Sequence, residues 1–488
     1  MNMESLVYPV NLLVIIVLFS WFLLRNNPLK HTAAYRFRCF LNWFPMGLTY
    51  ALLYMGRYNL TVSKNALGNL MTKEDFGIIF AAGTFTYAFA FLINGPLTDR
   101  MGGKRAILIG ALGSAVMNII MGVTVHSMLT GADPRAFNLR LLFSLMYAAN
   151  MYFQSFGAVA IVKVNAAWFH VKERGVFGGI FGILISLGLE LAFGWGTAIV
   201  EATKVQVDTK LNFLQQALRT VVGANHATVD QVWWVFYVPA ILLAIFFVIE
   251  VFLLRDRPSQ AGLQDFDTAD ASSGEEDAPF HLGDILKRIL TNKVIITIAV
   301  IELCSGVMRN GIMHWYSIYT HDALHYAGDH FMVKRWGLVL LDAGVFGGMF
   351  AGLISDRVFG SRRGPVAALL YGLMLVGTIS MVFSLRAPWY VLGFIVALMS
   401  LCVIGVHGMM SGTSTMDFGG RRGAATAVGL IDGCVYLGTG IQSLCLGFIT
   451  TWNWNFWPVF LLPFAALGFI LAITIWRAYP QAQRTGRQ

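Results

Sequence analysis

GPLTDRMGGKRA, from Gly95 to Ala106, returns as GLISDRVFGSRRG, from Gly352 to Gly364, in the second half of the chain. Both copies follow a long apolar run and lead into another. Each reads Gly-x-x-x-Asp-Arg and then a cluster of Gly, Arg and Lys. A solenoid would repeat every 20–50 residues or so; a single recurrence about half a chain away marks a duplicated unit. The physical reading is a tight turn between two membrane helices. Gly95, Gly103 and Gly352 let helix ends come close. Asp99 and Arg100, and Asp356 and Arg357 in the second copy, are placed to pair with neighbours or with helix ends. Lys104, Arg105, Arg362 and Arg363 hold each turn on the cytoplasmic side.

Composition agrees. Of 488 residues, 57% are hydrophobic and only 12% charged, about half the charged share of a soluble domain. The expected fold class is an all-α, multi-pass membrane protein. The net charge of +9 does not imply a nucleic acid, because most Lys and Arg fall in loops on the side of the two turns, which is the bias that orients a membrane protein. Five cysteines lie in or beside apolar runs, with neither metal-ligand spacing nor a disulfide framework. No nucleotide loop, catalytic triad or metal cluster is visible, which argues against an enzyme or an ATP-driven pump and implies no cofactor.

Along the chain, residues 6–24 form an apolar run whose positive charges follow it. A signal peptide carries them first, so an uncleaved helix with its N-terminus outside is expected, with a basic linker to residue 35. A first six-helix unit is expected over 36–254, with spans near 39–61, 76–97, 106–125, 139–166, 176–199 and 232–254. WFHVKERG (Trp168 to Gly175) reads as a cytoplasmic turn, and 204–231 as a long, partly amphipathic outer loop. Residues 255–292 carry an acidic, Ser- and Gly-rich stretch expected to be a flexible cytoplasmic linker. A second unit follows over 293–488, with spans near 294–319, 336–353, 365–383, 389–410, 424–449 and 456–478, turns such as GGRRG (Gly419 to Gly423), and a cytoplasmic C-terminus.

The duplicated turn resembles the signature of the major facilitator superfamily, found there between the second and third helices with a weaker echo between the eighth and ninth. The resemblance implies two pseudo-symmetric six-helix bundles; the helix at 6–24 is an addition to that plan.

Two charged residues inside spans bear most on function. Arg57 precedes Asp99 by about as many residues as Arg309 precedes Asp356, so each half places one arginine on its first helix. An arginine at bilayer depth costs several kcal/mol unless it faces a cavity or a partner. A guanidinium fork grips phosphate or carboxylate and keeps its proton; two forks across a central cleft suit a doubly charged tetrahedral anion. The alternative is structural pairing with an acid, and Glu302, two turns before Arg309 and about 10 Å away along the axis, is one candidate, with Asp342 and Asp432. Tyr50 and Tyr54 share a helix face with Arg57 and can donate to substrate oxygens, or belong to an interfacial aromatic belt.

YALLYMGRYN, GPLTDR, WFHVKERG, RNGIMHWYSIY and RRGAATAVGLIDGCVYLGTG together resemble the organophosphate–phosphate antiporter family, over about residues 36 to 478. The Arg-x-Gly-Ile-x-x-Trp element, Arg309 to Trp315, is the most specific piece. The resemblance implies that Arg57 and Arg309 bind phosphate and that Tyr50, Tyr54, Tyr87 and Tyr436 stand near the pocket. It departs at two places: glycerol-phosphate members carry a histidine on the fifth helix and a lysine on the second, where this chain has Ile185 and Phe91. In their stead it has Glu190, Glu302, Asp342 and Asp432 within spans, able to bind a hydroxylated or amine-bearing group or to carry a proton, or else structural acids with partners. His314 and His407 can titrate near neutral pH, although a satisfied buried histidine is the commoner case. Lys163 is expected to snorkel.

The expected function is secondary transport of an organic phosphate, of the sugar-phosphate or glycerol-phosphate class, in exchange for inorganic phosphate, by a monomer in the inner or plasma membrane. A membrane sensor for a phosphorylated sugar and a proton-coupled carrier of another organic anion are the alternatives.

Overall fold

The computed structural model describes residues 27–266 and 291–477 except positions 28, 132, 134–137, 208–209, 292 and 360–361; at 171–172, 174–181, 353, 356 and 412–427 it describes the backbone but not the side chains. The expected span at 6–24, the acidic part of the linker and the tail from 478 lie outside these residues, as does the side chain of Asp356.

Twelve long helices are described, six on either side of residues 267–290. The first six are α1 (Ala33–Leu67), α2 (Lys73–Met101), α3 (Gly103–Thr130), α4 (Leu139–Trp168), α5 and α6 (Trp234–Leu253). α5 is built from Val171–Glu190, a π-helical turn Leu191–Trp195 and Gly196–Thr203. The second six are α7 (Lys293–Asp322), α8 (Trp336–Arg357), α9 (Arg363–Ser384), α10 (Trp389–His407), α11 (Ser414–Trp452) and α12 (Phe456–Thr474). Among the described residues, ten helical stretches are long and apolar enough to cross a membrane. α7 is buried over 78% of its apolar window, but α6 and α12 over only 33%, so α7 is central and α6 and α12 turn mostly to lipid. α1 falls outside the ten because its middle is polar. Thr49, Arg57, Asn59, Thr61, Ser63 and Lys64 are all buried in protein, where a polar group can find partners that lipid lacks.

Three expectations about the turns are corrected. The Gly95–Arg100 signature is not loop: it is the last part of α2, and the chain reverses at Gly102, whose φ of 90° is left-handed and suits glycine. In the second copy Gly352 to Arg357 are likewise helical. VKERG opens α5, leaving Phe169 and His170 as the break. GGRRG is no turn either: a π-helical stretch Gly408–Thr413 joins α10 to α11, and GGRRG lies within α11.

The start of the linker is also ordered, against the flexible reading. Asp256 Oδ1 accepts from the Lys104 N–H at 2.7 Å, at the first turn of α3, where a carboxylate complements the helix dipole. Trp168 Nε1 donates to Arg255 O at 2.9 Å and Arg255 N to Asn42 Oδ1 at 2.8 Å, so 255–256 stitch α1, α3 and α4 together. Asp99 reaches across to α4, where Lys163 Nζ meets it at 2.8 Å; Lys163 is paired rather than snorkelling free. Gly103 meets the α4 backbone, a Cβ there lying 2.8 Å from Ala160 O. Arg100 and Arg105 are exposed.

The halves meet along three seams. α2 runs antiparallel to α11: Gly77 abuts Ser443 O and Gly447, Gly429 abuts Phe91 O, and Lys73 Nζ donates to Thr450 O at 2.8 Å. α5 meets α8 through Ile183, Leu187, Leu338, Leu341 and Val345. α1 meets α7 at the end away from the signature turns, through Asn65 Nδ2 to Ser317 Oγ at 3.1 Å and the Lys64–Asp322 ion pair at 2.6 Å.

Replacing Asp256 by alanine removes the only side-chain carboxylate described at the α3 N-terminus and should cost about 1–2 kcal/mol. Thermal unfolding in detergent should show a lower midpoint for D256A and a smaller loss for D256N.

Candidate functional site: two buried arginines around a shared tyrosine

On α1, Tyr50, Tyr54, Arg57, Thr61 and Lys64 recur at alternating spacings of four and three, which puts them on one face. That face looks across the seam at α7 and α11. Arg57 is fully buried, and its guanidinium is held by neutral oxygens on three helices. Nε donates to Gln154 Oε1 on α4 at 2.8 Å, Nη2 to Tyr87 Oη on α2 at 2.9 Å, and Nη1 to Tyr436 Oη on α11 at 2.5 Å. The Tyr54 and Tyr87 rings lie 4.7 and 4.6 Å from its Cζ, within cation–π range.

The support behind Arg57 is a chain of amides and hydroxyls. Gln154 Nε2 donates to Ser114 Oγ at 3.1 Å and to Asn150 Oδ1 at 3.2 Å. Asn150 Nδ2 donates to Gly56 O at 3.0 Å and Tyr147 Oη to Arg57 O at 3.1 Å. These bonds fix the Gln154 oxygen toward Arg57 and hold the α1 backbone on either side of it. Gln154 was not among the sequence candidates; its only signal is a lone amide in the apolar run MYFQSFG.

Arg309, from the matching point on α7, is also buried, and its Cζ lies 5.9 Å from the Tyr436 ring. Tyr436 thus touches both arginines. The Nε and Nη2 groups of Arg309 are buried with no acceptor among the described residues. Neither arginine forms an ion pair with a described carboxylate. Glu302, the acid that the spacing offered to Arg309, instead meets His407 Nδ1 on α10 at 2.8 Å.

The tyrosines gather around Arg57. Tyr87 and Tyr436 have ring centroids 4.2 Å apart, and Tyr50 packs edge-on to Tyr54 at 5.2 Å. Tyr58 was missed by face counting; it lies beside Arg57 at 5.7 Å with its hydroxyl buried and unpartnered among the described residues. Phe91, where a lysine was the alternative, packs edge-on against Tyr87 at 4.5 Å.

The other candidates separate into three places. His314 is a satisfied bridge between halves: Nδ1 meets Thr61 Oγ1 at 2.6 Å and Nε2 meets Asn310 Oδ1 at 3.1 Å, inside a cage of Tyr58, Phe76, Phe80 and Phe193. Glu190, at the start of the α5 π turn, abuts Gly337 in the α5–α8 seam; Asp342 is half-buried on α8. Glu302, His407 and Asp432 form a cluster within electrostatic reach of Arg309, where Ser411, in the π-helical stretch, donates to Asp432.

The family model described as Major Facilitator Superfamily matches residues 46–443. Among curated relatives, a glycerol-3-phosphate transporter of Bacillus subtilis is 24% identical over 94% of this chain and 97% of its own length. A probable hexose phosphate transport protein of Chlamydia pneumoniae is 23% identical, covering 92% and 93%, and the membrane sensor protein UhpC of Salmonella typhimurium 23%, covering 88% and 91%. Among solved structures, a bacterial homologue of the human lysosomal transporter Spinster, inward-facing and unoccupied, superposes with a TM-score of 0.67 at 14% identity, covering 91% of this chain and 98% of that one.

Replacing Gln154 by leucine strands the Arg57 Nε–H in the core, which should cost about 1–3 kcal/mol. Q154L and Y87F should each lower the unfolding midpoint in detergent, and the double variant should lose less than the sum, because both act on one guanidinium.

Proposed function

Because the chain belongs to the major facilitator superfamily, we propose that it is a secondary transporter of organic phosphates of the glycerol-phosphate or hexose-phosphate class, working in exchange for inorganic phosphate. The observation that carries this reading is the pair of buried arginines with no carboxylate partner among the described residues, one of them with two N–H groups lacking an acceptor. A phosphate dianion supplies the missing acceptors and the missing charge together. The names of the curated relatives point to the same class of ligand.

Arg57 and Arg309 would grip the phosphoryl oxygens, one from each half. Tyr87, Tyr436, Tyr50 and Tyr54 would wall the site, their hydroxyls donating to oxygens that the guanidinium forks leave free. Exposure to alternate sides would come from rocking one half against the other around this fixed pair. The Lys64–Asp322 pair and the α5–α8 seam would close one side. Exchange follows from charge: moving two uncompensated cations through a low-dielectric core is costly, and a bound dianion cancels them.

A sensor would use the same arginines, and the UhpC relative keeps that reading in view; flux separates the two. Labelled glycerol 3-phosphate or hexose 6-phosphate should enter proteoliposomes loaded with inorganic phosphate and not enter empty ones at symmetric pH. R57K and R309K should each cut exchange by about 100-fold or more, since a lysine keeps the charge but loses the fork. Specific binding without exchange would favour the sensor; neither binding nor exchange would sink the phosphate reading.

A further inference from the structure

The loop between α5 and α6 holds a short helix, Phe213–Val221, to which the transport reading gives no task. Its start is set by a reciprocal cap: Asn212 Oδ1 accepts from the Gln215 N–H at 2.9 Å, and Gln215 Oε1 accepts from the Asn212 N–H at 3.0 Å. The helix is tied alongside α5. Gln215 Nε2 donates to Ala198 O at 3.1 Å, and Arg219 Nη1 donates to Ala202 O at 3.1 Å and to Lys204 O at 2.5 Å. Ala198 precedes Thr203, the last residue of α5, by about 7 Å along the axis. The tie therefore reaches back into the span. Arg219 also meets carbonyls at the end of α5, where a cation suits the helix dipole.

Successive residues turn by about 100° around a helix, and the surface of this one divides into three sectors. Gln215, Leu218 and Arg219 face α5 and the core. Gln216 and Thr220 are exposed and polar. Between these sectors run Phe213, Leu214, Ala217 and Val221, all exposed, Phe213 at 80% and Val221 at 83%. A helix between protein and water needs only the first two sectors. The third is apolar and bare, and calls for an apolar neighbour.

The surroundings say which neighbour. One turn before Ala198, Trp195 is 44% exposed on α5, and Ile241 and Ile245 are exposed on α6. These are apolar surfaces of spans that meet lipid, and the stripe on the short helix continues them. Among the described residues, the hydrogen bonds of the short helix end on α5 or on the loop itself, so none ties it over the cleft between the halves. Lys210, exposed directly before the helix, adds a cation that a phospholipid headgroup can meet.

We propose that Phe213–Val221 is a lipid-contacting anchor, lying at the boundary of headgroups and acyl chains in the leaflet away from the signature turns. Phe213, Leu214, Ala217 and Val221 rest on the chains, and Gln216 and Thr220 turn to water. The ties to Ala198 and Ala202 then fix the depth of the α5 end, where Glu201 comes against Gly328 of the loop between α7 and α8. This inference does not depend on the organic-phosphate reading.

Spin labels on single added cysteines, F213C, V221C, Q216C and T220C, test it in liposomes of phosphatidylcholine and phosphatidylglycerol. The unsubstituted protein sets the background from the native cysteines. Power saturation compares collision with oxygen, which concentrates among acyl chains, against collision with a water-soluble nickel chelate. The oxygen-to-nickel ratio should be several-fold higher at 213 and 221 than at 216 and 220. All four positions are exposed, and one from each pair is enough for the contrast. Labels that answer chiefly to nickel at all four positions put the helix in water and overturn the anchor. Labels at 213 and 221 shielded from both reagents put protein against the stripe, a second copy of the chain included, and overturn it as well.

Discussion

Two guanidinium groups share the middle of this protein without a described carboxylate between them. Much of the surrounding structure answers the cost of that arrangement. Burying a cation away from water is expensive unless its hydrogen bonds are met. Arg57 meets them with an amide and two phenols from three helices, oxygens that satisfy geometry without cancelling charge. Behind them stands a relay of Ser114, Asn150 and Gln154, buried polar residues in otherwise apolar helices. The N-terminal half is thus a rigid holder for one charge. The C-terminal half is unlike it. Arg309 keeps N–H groups without acceptors among the described residues, and the nearby acid has a histidine for a partner. The duplication that placed the two arginines has been kept, while the shells around them have diverged.

The paired arginines were legible because a duplicated turn supplies a ruler: the same residue type, at a similar distance before each copy, on the first helix of each half. The helices were legible because a lipid-spanning run of apolar residues leaves little choice. Helix ends were less so. Glycine, aspartate and arginine read as a loop, yet Gly95 to Arg100 continue α2, since paired acids and bases inside a bundle can replace the water that a loop would need. Partners were the least legible. Spacing along α7 offered Glu302 to Arg309, but the contact that forms is with His407, more than a hundred residues away in sequence. Such pairings depend on helix rotation, which a sequence pattern fixes only to a face. Asp256 was hidden for another reason, its neighbours having the composition of a tether.

The seams between the halves differ in kind. Along α2 and α11 the backbones touch where Gly77, Gly429 and Gly447 leave no side chain between them, a small-residue contact that permits sliding. Between α1 and α7 the contact is polar, and Lys64 is only 3% exposed within it. A glycine seam tolerates small changes of angle; a buried ion pair holds or breaks. On the proposed rocking motion, the end of the molecule with Lys64 and Asp322 would serve as a latch, and the seam along α2 and α11 as a bearing.

Tyr436 reaches both guanidinium groups, its hydroxyl on one and its ring beside the other. On the proposed reading, an anion that bound Arg57 through Nη1 would compete with this phenol. A monovalent halide, with one centre and no directional lone pairs, cannot replace that lost bond and still span to Arg309. A tetrahedral oxyanion has corners enough to do both. Under the proposed function Tyr436 is a placeholder in the empty site, and discrimination against the commonest small anions in water would be set by what the tyrosine gives up in leaving.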